Sequence, residues 1–443
     1  MFIQTELKSW GQSAKGRCRL YRPERRQDLP ELLQRGGEPH LIARGEGRSY
    51  GDAAINSAGA VVHFGRLNRF LAFNAESGLL KCEPGVTFDD LLRTFVPRGW
   101  FPPVTPGTKF VSLGGAVAAD IHGKNHHRDG SISRHIESLE LLSAAGETLH
   151  CSHRHNPDVF WASIGGMGLT GFITAVELKL RPVQSSDLDV TTFRGEDLDS
   201  MLDLFDRHDR DYQYSVAWLD CLAKGASLGR GLAIFGNHSQ TGVLRVSRKR
   251  SLSLPIDLPN FTLTAAAMRA FNQLYFHRHP KRERRSRLNY DSFFYPLDGL
   301  HNWDRIYGSR GFLQYQCVFP REEGRQPLVR LLEKVGEYPA DPFLAVLKRF
   351  GEQEGLLSFP MPGYTLALDF PHSGDELQHL LHELDKLVLD HGGRVYLAKD
   401  ARLSGSRFSQ MYPQLPRWLS AKSAIDPNNL FSSDLYRRLC ESC

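Results

Sequence analysis

Residues 105–127 read TPGTKFVSLGGAVAADIHGKNHH, and the fold turns on how this stretch is read. Its first half is punctuated by Gly107, Gly114 and Gly115; its last eight positions, Asp120 to His127, hold three histidines and one lysine. A histidine cluster raises the question of a metal site. Such a site needs three or four converging ligands with supporting hydrogen bonds, whereas His126 and His127, taken as extended backbone, point to opposite faces. The glycines just upstream favour a different reading, the wall of a pocket in which the backbone approaches a large ligand closely. No metal is expected.

Two further glycine-rich stretches surround this one. RGEGRSYGD (residues 44–52) follows the strand-like HLIA, and its glycines let successive backbone N–H groups turn inward, as a pyrophosphate cradle requires. GGMGLTG (residues 165–171) has the G-x-G-x-x-G spacing at Gly166, Gly168 and Gly171. A dinucleotide fingerprint, however, follows a strand and opens a helix, while this one follows a helix and runs into the strand FITAVELKL. NAD binding is rejected on that ground. Three such stretches in one α+β region fit a single large ligand with a pyrophosphate in its middle, and FAD meets that requirement better than a mononucleotide.

At 443 residues the chain is long enough for two or three domains. A net charge of +5 suits anionic ligands but is too small to mark a nucleic-acid binder, and none is expected as a partner. Seven scattered cysteines give no disulfide framework; Cys440 and Cys443 share C-x-x-C spacing but are expected to lie in a frayed tail. The N-terminus lacks the pattern of a signal peptide and no run of 18 apolar residues occurs, so a cytoplasmic protein, or one peripheral to the inner membrane, is expected.

Residues 1–185 read as alternating strands and isolated helices: a hairpin in FLAFNAESGLLKCEPG turning at Ser77-Gly78, a helix capped by Thr87 and Asp90, and a second hairpin in IESLELLSAAGETLHCS. Residues 186–392 change to aromatic-rich strands (QYSVAWLD, GFLQYQCVFP, GYTLALDFP) interleaved with helices, which predicts a sheet with one face turned to a ligand. Residues 393–443 form a third segment that begins with a strand. Between these, FHRHPKRERRSR carries Arg278, Lys281, Arg282, Arg284, Arg285 and Arg287. This run reads as a solvated loop; its sharper reading is attraction to anionic headgroups at about 1 kcal/mol per basic residue.

Taken in order, RGEGRSYGD, PGTKFVSLGGAVAADIHGKNHH, FWASIGGMGLTG and VYLAKD resemble the vanillyl-alcohol-oxidase or PCMH-type FAD-binding family, and within it the branch that oxidises polyprenyl-phosphoryl ribose. The similarity extends to YSVAWLD, GFLQYQCVFP, LKRFG and FSSDLYRRL. It implies an α+β fold in which the first and last segments together form a two-part FAD-binding domain, and the middle one an inserted substrate domain on an antiparallel sheet. It implies that Ala43, Arg44, Gly45, Glu46, Gly47, Arg48, Ser49, Tyr50, Gly51, Asp52 and Ala53 wrap the pyrophosphate. Gly107, Ser112, Leu113, Gly114, Gly115, Ala119, Asp120, Ile121, His122 and Ile173 would line the rest of the cofactor site, and Tyr396 complete it. Related flavoenzymes attach FAD through a histidine in the first loop; here that position is Arg48, so FAD is expected to be non-covalent.

Oxidising a secondary alcohol with a flavin requires a cation for developing negative charge and a partner for the hydroxyl proton. Lys399 in YLAKD is the first choice for the cation, with Tyr50 and His122 beside it as catalytic residues. Lys124 and Lys348 suit a phosphate, Gln316, Gln314 and Trp218 a sugar. Ala367 stands where mycobacterial members of the family carry a cysteine, which implies that no thiol is needed there. The implied reaction is oxidation of the 2′-hydroxyl of a polyprenyl-phosphoryl pentose, with a separate NAD(P)H-dependent short-chain reductase finishing an epimerisation and peripheral membrane association through 278–287. The resemblance also allows a cell-envelope location. Two alternatives stand beside it: a flavin oxidase of free sugars, aldonolactones or alditols, with the same chemistry, and, from a different class, a metal-dependent hydrolase built on the histidines of 122–127.

Overall fold

The hairpin in FLAFNAESGLLKCEPG forms where its alternation and turn place it: Phe70–Asn74 pairs antiparallel with Leu79–Cys82, and Gly78 turns the chain at φ +72°. The structure, a computed structural model, describes residues 2–34, 38–57, 59–247, 252–253, 265–279, 283–301, 303–308, 311–338 and 342–441. The hairpin is one end of a five-stranded antiparallel sheet that continues through Phe172–Lys179, Ile136–Leu142 and Thr148–Ser152. A four-stranded mixed sheet lies before it in the chain, with Leu41–Arg44 and Lys15–Tyr21 both parallel to Ala60–His63. The strand Leu41–Arg44 delivers the chain directly into the loop 44–52.

Thr87 caps the helix Phe88–Phe95 as its sequence predicts. Its hydroxyl accepts from the Asp90 N–H at 3.1 Å while the Asp90 carboxylate accepts from the Thr87 N–H at 2.9 Å, an exchange worth about 1 kcal/mol. Phe88, Leu91, Leu92 and Phe95 are buried beneath it. GGMGLTG follows the helix Pro157–Ser163 and precedes the strand Phe172–Lys179, the order that excluded a dinucleotide fingerprint.

The middle of the chain builds one eight-stranded antiparallel sheet, in the order Arg284–Asn289, Asp187–Gly195, Gly231–His238, Tyr214–Leu219, Leu344–Phe350, Gly363–Pro371, Phe312–Pro320, Arg394–Val395. Residues paired across neighbouring strands share a face, so the registers sort the side chains. Ala217, Leu219, Leu347, Leu366, Leu368, Phe370, Tyr315 and Cys317 are buried on one face, in the same core as the helices Leu198–His208, Arg325–Glu337 and Asp375–Asp390. On the opposite face Trp218, Val346, Ala367 and Gln316 form a single row across four strands, flanked by Lys348 and Thr365 on one side and by Leu344, Asp369 and Gln314 on the other. Ala367 and Val346 are only half-buried although they lie mid-sheet, so this face borders open space.

The C-terminal segment stitches the two parts together. Arg394–Val395 pairs with the strand Phe312–Pro320 of the large sheet. The chain then returns to the first part: the Trp418 indole N–H donates to the Ala162 carbonyl at 2.9 Å, and Leu41 exchanges backbone hydrogen bonds with Leu430 (2.7 Å) and Ser432 (3.0 Å).

Three local expectations are corrected. His126 and His127 lie in a one-turn helix, His126–Asp129, not on extended backbone. Arg284–Asn289, expected as a solvated loop, is the edge strand of the large sheet, and an edge carrying arginines repels further pairing; Lys281 and Arg282 lie outside the described residues. The tail is docked, because Leu439 is buried and Arg438 is ion-paired to Asp52 and Asp400; Cys443 lies outside the described residues.

Candidate active site

The loop 44–52 and the stretch 396–400 are pressed against each other, and glycine makes this possible. A Cβ on Gly51 would fall 1.6 Å from the Asp400 carbonyl oxygen, and one on Gly45 would fall 1.9 Å from the Ser112 hydroxyl. Tyr50 donates its backbone N–H to the Ala398 carbonyl at 3.0 Å. Lys399 then lies with its ammonium nitrogen 3.6 Å from the centre of the Tyr50 ring.

Across from Lys399, the sheet face contributes Asp369 and Gln314, joined by a hydrogen bond from the Gln314 amide to the carboxylate. Asp369 lies two residues along the strand from Ala367, on the same face, so the period-2 pattern of GYTLALDFP already pointed to it; the sequence reading passed over it. Burial pushes the Asp369 carboxyl above its ordinary range, against the pull of Gln314 and Lys399. Burial likewise pushes Lys399 below the usual lysine value, with Asp369 opposing and Lys348 adding to the effect. Tyr50 is pushed well above the ordinary phenol range by burial and by Asp369, so it stays a hydroxyl donor at neutral pH.

A second group is organised by a chain of hydrogen bonds that fixes each donor. Thr365 donates its hydroxyl to the Cys317 carbonyl at 2.8 Å, so toward Gln316 it can only accept. The Gln316 amide nitrogen therefore faces Thr365 at 3.1 Å and gives its other hydrogen to His122 Nε2 at 3.0 Å. Burial, with the neighbouring Lys348, His126 and Lys399, holds His122 well below the usual histidine value. A neutral ring whose Nε2 accepts carries its proton on Nδ1, and that nitrogen is buried with no partner among the described residues. His122 thus presents a hydrogen-bond donor to whatever fills the site.

Lys348 and Lys124 are the cations of the same wall. Burial lowers Lys348 to about 8, and burial together with Lys348 lowers Lys124 to about 7. Lys124 donates to the Phe293 carbonyl and lies 4.4 Å from the centre of the Phe293 ring. Trp218 closes the far end of the row, edge-on to Tyr275 at 4.9 Å.

The other expected cofactor residues divide by what their side chains already do. Arg44 donates to the Lys8 and Ala54 carbonyls, Arg48 lies 3.9 Å from the centre of the Trp10 ring, and Asp52 is paired to Arg438, so these three side chains serve the protein's own structure. Asp120 turns its carboxylate to Ser358, Gln353 and the Ser133 N–H. Tyr396 donates to the Ala119 carbonyl at 2.9 Å and stacks on Phe359 at 4.6 Å. His126 accepts from the Gly351 N–H, and His127 bonds the Tyr212 carbonyl and Ser215, both as supports. Among the described residues no group of three or more His, Cys, Asp or Glu is placed to hold a metal ion.

Two observations fit FAD: the orphaned His122 Nδ1 at the junction, and Gly107, beside whose Cα no atom lies within 4 Å of where a Cβ would point. A family model described as an FAD binding domain matches residues 19–152, which contain both glycine-rich stretches of the junction. Sheet, loop and cations thus define an FAD-dependent oxidoreductase. The chain is 36% identical to decaprenylphosphoryl-β-D-ribose oxidase of Mycolicibacterium smegmatis, over 98% of this chain and 97% of that protein, and it belongs to that family of flavoproteins. It is also 36% identical to an uncharacterised protein of Streptomyces coelicolor, over 80% of this chain and the whole of that protein, and 24% identical to the L-gulonolactone oxidase of Bos taurus, over 93% and 92%. No helix among the described residues is long and apolar enough to cross a membrane.

Proposed function

We propose that the protein oxidises the 2′-hydroxyl of a polyprenyl-phosphoryl pentose, of the decaprenylphosphoryl-β-D-ribose kind, to the 2′-keto sugar, with FAD held non-covalently. A separate NAD(P)H-dependent short-chain reductase would then complete an epimerisation to the arabinose form. The observation that carries this reading is the single polar face on which Lys124, Lys348, Gln316, Gln314, Asp369 and Lys399 meet. Ammonium groups suit a phosphodiester and amides suit sugar hydroxyls. Bound FAD supplies the acceptor for the hydride. His122, through its Nδ1–H, and the backbone of loop 43–53 would hold it. The Lys399–Asp369 pair, one member depressed and the other raised, is where a proton leaving the hydroxyl can be taken up, while Tyr50, kept as a phenol, orients that hydroxyl.

The test is anaerobic bleaching of the yellow protein. Polyprenyl-phosphoryl ribose is expected to bleach it, and free pentoses and aldonolactones to leave it coloured; bleaching by the free sugars alone would move the protein to the aldonolactone oxidases. Denaturation is expected to release all the flavin into the supernatant, since Arg48 cannot form the covalent bond; colour retained on the polypeptide would overturn the non-covalent assignment.

The two lysines give a pH dependence with a definite sign. A lysine is charged below its pKa, and those of Lys124 and Lys348 are lowered to about 7 and about 8. Affinity for the phosphorylated substrate is therefore expected to be full near pH 6 and to weaken as pH rises through 7 to 8.5. A substrate KM flat from pH 6 to 9 would remove them from phosphate binding.

A further inference from the structure

The helix Ala265–His277 carries two apolar stripes. Met268, Asn272 and Phe276 turn inward; Phe276 lies under the guanidinium groups of Arg194 and Arg230, at 4.5 and 4.8 Å, and the Asn272 amide donates to Asp220. Ala270, Phe271 and Leu274 face out, with Phe271 56% and Leu274 71% exposed. Burial of the first stripe accounts for the helix; the second is left over.

The exposed stripe is continuous with the site. Phe271 stacks on Tyr275 with ring centres 5.9 Å apart, Tyr275 meets Trp218 at 4.9 Å, and Trp218 begins the row that runs through Val346 and Ala367 to Gln316. The helix also lies on the correct side of the sheet: Phe276 contacts Arg194, which pairs with Leu232, which pairs with Trp218. Arg269 on the helix and Arg278 just past its end flank the stripe, and Arg284 stands on the same sheet face by its register with Thr192; all three are exposed. Aromatic and apolar groups edged by arginines complement a bilayer carrying anionic headgroups.

We infer that this track is the exit for the polyprenyl chain: it leaves the sheet face over Trp218, follows Tyr275 and Phe271, and enters an anionic membrane surface on which Leu274 and Phe271 rest. The inference deepens the proposed function and rests on its lipid substrate. Phe271→Ser combined with Leu274→Ser changes only exposed positions, so the holoenzyme is expected to fold with its flavin. On the decaprenyl substrate, kcat/KM is expected to fall about tenfold or more, and on a two-isoprene analogue to stay within about twofold. Wild-type holoenzyme is expected to float with phosphatidylglycerol-containing vesicles but not with pure phosphatidylcholine, and the variant with neither. Equal losses on both substrates, or flotation unchanged by the substitutions, would overturn the track. A change of mass in sedimentation would overturn it too, by assigning the stripe to a second copy of the chain. If neither substrate bleaches the wild type yet flotation still depends on Phe271 and Leu274, the substrate reading fails and the membrane face stands.

Discussion

Replacing Lys399 by methionine is expected to slow bleaching of the bound flavin by about 10²–10³-fold, the usual consequence of removing one preorganised electrostatic partner from a reacting centre. The fold is expected to survive. Asp369, which loses its cation, is already raised by burial and keeps its bond from Gln314, so it can take a proton instead of leaving a stranded charge. Stopped-flow bleaching, with the ratio of flavin to protein read from absorbance, checks both halves; a variant with full flavin and full rate would remove Lys399 from the reaction. Asp369→Asn supplies a signed companion. Asp369 raises the Lys399 pKa, so its loss lowers that pKa further, and the pH above which the protonated lysine is lost moves down. A pH–rate profile that moves the other way, or not at all, would uncouple the two.

The strands that carry this site were legible because alternation survives in GFLQYQCVFP and GYTLALDFP, and the same alternation singles out Asp369 and Thr365 once the ligand-facing parity is chosen. What no local pattern contains is which parity faces which partner. The bond between His122 and Gln316 spans 194 residues, and it exists only because Phe312–Pro320 is placed second from the edge of the large sheet, beside the strand that returns to Tyr396. His126 and His127 were read as extended because two histidines say little about backbone; the turn they form is closed by backbone bonds from Asp129 and Arg128 to Asn125. The arginine run was read as solvated because charge signals exposure, and an edge strand is also exposed. The helix before it carries its second apolar stripe in plain sequence, but only the structure shows which stripe is spent on the core.

The tail was misread for a reason that leads to the other large effect. Arg438 looks like one more basic residue in DLYRRLC, yet it reaches back 386 positions to grip Asp52 with two hydrogen bonds, at 2.9 and 2.8 Å, and it pairs with Asp400 at 2.9 Å. Both carboxylates are buried, and they adjoin Gly51 and Lys399 respectively, so the arginine clamps the junction where loop 44–52 meets the stretch that carries Lys399. Arg438→Met is expected to destabilise the protein by about 3–5 kcal/mol at pH 8, because it leaves buried charge without its partner. The loss has a pH sign. Burial already raises the Asp52 carboxyl above its ordinary value against the opposing pull of Arg438, so without the arginine it rises further, and protonation as pH falls relieves the stranded charge. The gap between wild type and variant is therefore expected to narrow from pH 8 toward pH 5. FAD is expected to dissociate more readily from the variant, since loop 44–52 loses its anchor to the C-terminal segment. Denaturant midpoints at the two pH values and a flavin titration measure these effects; a midpoint shift equal at both pH values would assign the loss to packing by the arginine stem and not to the ion pairs.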